Sequence, residues 1–128
     1  MRKADIISTL SDFPFSPSDY WIITGAAMVM YGIREQTHDI DLGCTKQMAD
    51  RLEEGGYLHH ISDSGRRCFR YGESIEVFEG WLRDTVETHE DFQIISIRGL
   101  AEMKQELGRE KDKRDLELIN LFLGKATS

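Results

Sequence analysis

The sequence predicts an α/β (α+β) fold in which helices flank a mixed β-sheet. Short apolar and β-branched runs alternate with helix-like segments, in the order strand, helix, strand, helix, strands, helices. Glycine, proline and serine separate these segments. With 128 residues, 40% of them hydrophobic, the chain is long enough to build a core without disulfides. We therefore expect residues 1–128 to form a single minimal domain.

The first five predicted elements are helix 3–10, strand 20–24, helix 26–31, strand 37–42 and helix 46–54. Apolar residues at helical spacing support the opening helix, which ends before Pro14 because proline cannot sit in a helix interior. The first strand is apolar and β-branched, and Gly25 lets the backbone turn sharply into the second helix. Thr45 is a typical cap for the third helix, and Gly55 ends it.

The second half of the chain is predicted to hold strands 58–61, 67–71, 74–78 and 92–97, then helices 99–107 and 110–123. The turn Ser62-Asp63-Ser64-Gly65 joins the first two of these strands, and Gly72-Glu73 joins the next pair. The last helix carries Leu116, Ile119 and Leu123 on one face, as expected for a helix that packs on the sheet.

Composition limits the possible partners and location. There are 16 basic and 23 acidic residues, giving a net charge of −7. Extended duplex nucleic acid is therefore not expected as a partner, since it requires a basic surface. Cys44 and Cys68 show neither disulfide nor zinc spacing. Because neither a signal segment nor a membrane-length apolar run is present, we expect a cytoplasmic protein with no membrane partner.

Asp39 and Asp41 are the most informative residues of the chain. On a strand they project to the same face, roughly 7 Å apart, while Ile40 points the other way. Two such carboxylates repel each other unless a cation neutralises them, and Mg²⁺ commonly takes one or two carboxylates together with substrate phosphates. The pair predicts a Mg²⁺ or Mn²⁺ platform for phosphoryl chemistry. The alternative is an Asp-x-Asp at a strand end without any ligand.

Two further features fall on the same predicted site. The turn at Gly25 offers backbone N–H groups at a helix N-terminus, which favours phosphate, although it also suits close packing of helix on strand. Glu76 is a carboxylate between Ile75 and Val77 on a strand able to neighbour the Asp39–Asp41 strand. It is the natural third ligand, or else it faces solvent.

Basic and polar residues complete the predicted site. Arg34 and Thr37 precede the aspartate pair, and Lys104, Arg109 and Lys111 form a basic cluster near the C-terminus. Charges on such helices either contact a ligand or make a solvated face.

The segment from Ile23 to Leu42 resembles the nucleotidyltransferase superfamily typified by DNA polymerase β. The common pattern is a Gly-Gly or Gly-Ser turn, a short helix, then hydrophobic-Asp-hydrophobic-Asp-hydrophobic on the next strand. The chain is more closely similar to small stand-alone bacterial members, including the AbiE-type toxin-like group. Those also carry a late helix pattern similar to Met103-Lys104 followed by the residues from Arg109 to Leu116. The resemblance extends from Tyr20 to Leu123.

The resemblance implies transfer of a nucleoside monophosphate from an NTP with Mg²⁺. Asp39 and Asp41 would hold two metal ions, and Glu76 would complete the metal site. The residues assigned to nucleotide binding are Gly25, Ala26, Arg34, Thr37 and Lys104. Ala26 departs from the family pattern, because it stands where Ser or a second Gly is usual and lacks the hydroxyl that can bond the triphosphate.

The leading hypothesis is transfer of AMP from ATP to a hydroxyl that Glu76 activates as the base. No separate substrate domain is expected, so a dimer partner, another protein or an open cleft would present the protein or small-molecule acceptor. A toxin–antitoxin pair and antibiotic modification both meet this condition. Two alternatives remain: a non-catalytic nucleotide-binding or interaction module, which Ala26 favours, and a structural α/β protein whose acidic residues all lie on the surface.

Overall fold

The computed structural model describes residues 1–127. Within this range the chain forms five helices and seven strands. In chain order they are α1 (Lys3–Ser11), β1 (Tyr20–Ile23), α2 (Thr24–Met30), β2 (Ile40–Cys44), α3 (Lys46–Glu54), β3 (His59–Ile61), β4 (Arg67–Tyr71), β5 (Ile75–Glu79), β6 (Val86–His89), β7 (Phe92–Ile95), α4 (Ile97–Leu107) and α5 (Glu110–Thr127). None of these helices is long and apolar enough to cross a membrane.

All seven strands belong to one mixed sheet with the order β3-β4-β5-β2-β1-β7-β6. Strand β2 runs antiparallel to β1 and parallel to β5, and β1 runs parallel to β7. The remaining pairs, β3–β4, β4–β5 and β6–β7, are antiparallel. Helix α2 contacts β1, β2 and β7, and α4 packs on both α2 and α5. The predicted mixed sheet with flanking helices is confirmed.

Strand β2 lies inside the sheet, and its register places the acidic residues. Asp41 is opposite Ile23 of β1 and Glu76 of β5. Since paired residues on neighbouring strands point to the same face, Asp41 and Glu76 project side by side. Ile40 and Leu42 point to the other face, where both are completely buried in the core.

Strand β2 starts later than the predicted strand 37–42, and Asp39 lies just before it. The N-terminus pairs with the backbone of Thr37 instead. The Met1 ammonium group donates to the Thr37 carbonyl oxygen at 2.6 Å, and the Thr37 amide donates to the Met1 carbonyl oxygen at 2.9 Å. Both neighbouring strands also end here: β5 begins at Ile75, opposite Ile40, and β1 ends at Ile23, opposite Asp41, so the residues before Ile40 have no strand to pair with.

Strand β6 was not predicted. Its residues, Val86–His89, are mostly exposed, and it forms the edge of the sheet with β7 as its one partner. An exposed edge strand carries little of the apolar alternation by which strands are recognised. The hairpin that joins it to β7 turns through Glu90 and Asp91, which have φ values of +53° and +68°.

Candidate active site

One open cavity of about 540 Å³ lies where β2 and β5 meet α4 and α5. Seven of the eight residues predicted for the site line it: Gly25, Arg34, Thr37, Asp39, Asp41, Glu76 and Lys104. Further lining residues are Thr24, His38, Phe78, Trp81, Leu107, Arg109, Lys111 and Asp115. The eighth predicted residue, Ala26, is completely buried in the core and faces no ligand space.

The acidic wall of the cavity is built by β2 and β5. Asp41 is half-buried, and burial raises the pKa of its carboxyl above the ordinary value. A hydrogen bond from Thr24 opposes this rise, whereas the charges of Glu76 and Asp39 add to it. The like charges therefore oppose one another in the absence of a cation. Oxygen donors and excess negative charge fit a hard divalent ion such as Mg²⁺, which Asp39 and Asp41 could hold.

Glu76 is engaged by a neighbouring residue. Arg70, its antiparallel partner on β4, donates from Nη1 to Glu76 Oε1 at 2.8 Å. Within residues 1–127, no three His, Cys, Asp or Glu side chains are gathered as a ready metal cluster. The three-carboxylate metal set of Asp39, Asp41 and Glu76 thus stays a prediction, and Glu76 would have to exchange Arg70 for a metal ion to join it.

The turn between β1 and α2 differs from the prediction. The residue with left-handed backbone is Thr24, with φ +52°, and not Gly25. A β-branched residue in this region is an outlier that costs about 1–3 kcal/mol. Gly25 is required for a different reason: a Cβ there would lie 2.8 Å from Thr37 Oγ1 and 3.0 Å from Arg34 Nη1. Thr37 and Arg34 thus close directly over Gly25.

The basic wall comes from α4, α5 and the loop before β2. Lys104 is 4% exposed, and its Nζ lies 2.9 Å from Asp115 Oδ2 and 3.4 Å from Asp112 Oδ1. Arg34 Nη2 lies 3.1 Å from Asp115 Oδ1, and Arg109 Nε lies 2.6 Å from Asp112 Oδ2. The predicted basic residues therefore meet at the cavity, where two aspartates hold Arg34, Lys104 and Arg109 in place.

Sequence patterns did not identify those two aspartates as partners. Asp112 is completely buried and Asp115 nearly so. Burial by itself would raise the pKa of Asp112, but hydrogen bonds from Arg109 and the charge of Lys104 lower it overall. The available signal was the run of alternating charges from Arg109 onward, in which Asp112 and Asp115 share one helix face at a spacing of three residues.

An aromatic pair on the β5 side was also missed. Phe78 and Trp81 contact each other edge to face, with ring centroids 5.2 Å apart, and both line the cavity. Trp21 fixes this segment by donating from Nε1 to the Trp81 carbonyl oxygen at 2.8 Å. The guanidinium of Arg66 lies 5.7 Å from the Trp81 ring centroid. The cavity therefore joins acidic, basic and aromatic surfaces, a combination that suits a metal-bound phosphate ester with an organic group attached.

The fold is similar to that of a solved structure, ANT(2")-Ia in complex with adenylyl-2"-tobramycin. The two match with a TM-score of 0.64 over 96% of this chain and 92% of that chain, at 14% sequence identity. No protein-family model matches the sequence, and no curated protein matches it either. The seven-stranded mixed sheet with five helices, described here for residues 1–127, is thus a nucleotidyltransferase fold.

Proposed function

We propose that this protein transfers a nucleoside monophosphate from an NTP, foremost ATP, to a hydroxyl of an acceptor, with Mg²⁺ or Mn²⁺ as the cofactor. One observation carries the proposal: on a nucleotidyltransferase fold, a single cavity sets an acidic wall of three carboxylates against a basic wall with four basic side chains. The acidic wall consists of Asp39, Asp41 and Glu76, and the basic residues are Arg34, Lys104, Arg109 and Lys111; a fourth carboxylate, Asp115, lies on the basic wall and pairs with Arg34 and Lys104.

Each wall then has its own role. Asp39 and Asp41 would hold the metal ion, which supplies positive charge to the phosphate oxygens as charge develops on them. The basic wall binds the triphosphate: Arg34 lies over the Gly25 turn, while Arg109 and Lys111 are exposed to an incoming anion. Lys104 already has two carboxylate partners, so it contributes mainly by placing α4 and α5.

Glu76 is the proposed base. The acceptor oxygen forms a bond to the α-phosphorus, the bond from that phosphorus to the bridging oxygen of pyrophosphate breaks, and the hydroxyl proton passes to the Glu76 carboxylate. Arg70 engages Oε1 of this carboxylate and leaves Oε2 to receive the proton. Pyrophosphate departs with the leaving oxygen.

We propose a small cationic molecule as the first acceptor class. The net charge of −7 attracts cations, and the structural neighbour ANT(2")-Ia is seen with an adenylylated tobramycin. A protein hydroxyl is the second class, which the AbiE-type toxin-like resemblance favours. In that case a small partner protein or a second copy of the chain would present the acceptor.

The test is nucleotidyl transfer from each of the four labelled NTPs with Mg²⁺. Pyrophosphate release and label transfer are measured with tobramycin and related amino sugars in one arm, and with cell lysate in the other. We expect label on an acceptor, abolished by Asp41→Asn and retained by Asp63→Asn, an exposed carboxylate outside the cavity. Transfer that persists in Asp41→Asn would refute the assignment.

A non-catalytic nucleotide-binding module is the second candidate. Two observations favour it: the ion pair that occupies Glu76, and the absence of a hydroxyl at buried Ala26. Such a protein would bind Mg·ATP, measured by calorimetry, without releasing pyrophosphate in either acceptor arm. Asp41→Asn would then weaken nucleotide binding while no reaction is lost.

A further inference from the structure

We infer that Thr24 is a positioning residue, whose hydroxyl holds the carboxylate of Asp41 in the orientation that binds the metal ion. This inference rests on the proposed function, in which Asp41 is a metal ligand. Sequence patterns assigned Thr24 no role, yet it lines the same cavity as Asp41.

A short hydrogen bond joins the two residues. Strand pairing sets Ile23 opposite Asp41, so the next residue, Thr24, leaves the strand directly beside that carboxylate. The Thr24 hydroxyl donates to Asp41 Oδ2 at 2.6 Å. This distance is typical of a hydroxyl bound to a charged carboxylate, which is among the stronger hydrogen bonds of proteins. Thr24 is also 7% exposed, so water competes little for its hydroxyl.

The backbone at Thr24 is strained to make this contact. Its φ of +52° is a conformation that glycine adopts freely and that a β-branched residue rarely adopts. Gly25, the very next residue, is not in the left-handed region. Strained residues persist where the surrounding structure holds them, and they concentrate at functional sites. Here the strained turn directs the hydroxyl to Asp41.

The Thr24 hydroxyl counteracts the repulsion that the Asp41 carboxylate experiences from neighbouring carboxylates. Asp39 and Glu76 are like charges beside Asp41 that disfavour its ionised form, and the hydrogen bond from Thr24 favours that form. With Oδ2 held by Thr24, Oδ1 is the oxygen left for a cation. Partners that orient a metal-binding carboxylate in this way typically change metal affinity about 10–100-fold when they are removed.

The test compares Mn²⁺ affinity, measured by electron paramagnetic resonance, with the Tm of the metal-free protein. Thr24→Val removes the hydroxyl and keeps the shape, and we expect affinity to fall at least about tenfold. Thr24→Ser keeps the hydroxyl and should stay within about threefold of wild type. Thr24→Gly removes the hydroxyl and relieves the strain, so Mn²⁺ affinity should fall while Tm is unchanged or higher.

Each contrary result has a defined meaning. If Asp41→Asn abolishes Mn²⁺ binding but Thr24→Val does not weaken it, the inference is wrong and the proposed metal site stands. If affinity falls only in variants whose Tm also falls, Thr24 is a structural residue and the inference is again wrong. If wild-type protein shows no Mn²⁺ binding that depends on Asp41, the inference and the proposed metal site fall together.

Discussion

Lys104→Met gives the sharpest stability prediction, because it removes one cation from a buried charge cluster. Lys104 is 4% exposed, Asp112 is 0% exposed and Asp115 is 3% exposed. The ammonium Nζ lies 2.9 Å from Asp115 Oδ2 and 3.4 Å from Asp112 Oδ1. Methionine has a similar length without the charge, so the substitution leaves the packing of α4 nearly intact and isolates the electrostatic effect.

The magnitude follows from these distances. At an effective dielectric constant of about 20, the two attractions are worth about 6 and about 5 kcal/mol before desolvation is counted. Removing one partner of a buried pair typically costs about 3–5 kcal/mol. Arg34 and Arg109 still neutralise the two aspartates, which places the expected loss near the lower end, about 3 kcal/mol. For a chain of this length that corresponds to a fall in Tm of about 10 °C.

The assay is thermal unfolding at pH 7, with Lys111→Met as the matched control. Lys111 lines the same cavity but is exposed, so its loss should change the free energy of unfolding by less than about 0.5 kcal/mol. Adding Asp115→Asn to Lys104→Met should recover part of the loss, because one uncompensated charge is removed. Equal Tm values for Lys104→Met and Lys111→Met would refute the reasoning.

The cluster also predicts a dependence on pH. The pKa of Asp112 is lowered in the folded state, so its ionised contacts stabilise the protein above the unfolded pKa. That contribution is lost as the pH falls through the folded pKa. The difference in stability between wild type and Lys104→Met should therefore shrink in acid, and unfolding curves recorded from pH 7 down to pH 3 would show it.

Three further predictions concern residues of strands β2 and β4. Burial raises the pKa of Asp41, so its ionisation destabilises the folded state once the pH exceeds the pKa of the unfolded chain. Asp41→Asn should therefore raise the Tm of the metal-free protein at pH 7, and this gain should disappear in acid. A lower Tm at pH 7 would contradict this. Arg70→Ala should free the Glu76 carboxylate and strengthen Mn²⁺ binding by up to about fivefold, which corresponds to the free energy of an exposed ion pair. An unchanged Mn²⁺ affinity, measured by titration, would exclude Glu76 as a ligand. Gly43→Ala should cost about 1–3 kcal/mol in denaturant unfolding, because a Cβ there would overlap the Trp21 indole and lie 2.6 Å from the Trp81 carbonyl oxygen. An unchanged unfolding midpoint would contradict this.

Local sequence signals predicted most elements well. Helix α3 begins and ends where Thr45 and Gly55 indicated, and the Thr45 hydroxyl accepts a hydrogen bond from the Met48 amide. Strand β4, between two strong turns, also has its predicted bounds. In these elements the residues that decide the ends lie within a few positions of them, so no distant contact is needed. The errors arose where distant contacts decide, as at Thr37, whose backbone pairs with Met1.

The sequence alone brought Asp41 and Glu76 to one predicted site, because strand periodicity assigns each residue to a face of the sheet. It wrongly added Ala26 and missed Thr24 and Asp115. It did not determine what each side chain binds. Only the tertiary structure shows that Glu76 forms an ion pair with Arg70 and that Thr24 donates a hydrogen bond to Asp41. The reason is physical: periodicity assigns a residue to a face, whereas hydrogen bonds and ion pairs depend on distances of about 3 Å between side chains of different elements, which only the packed structure sets.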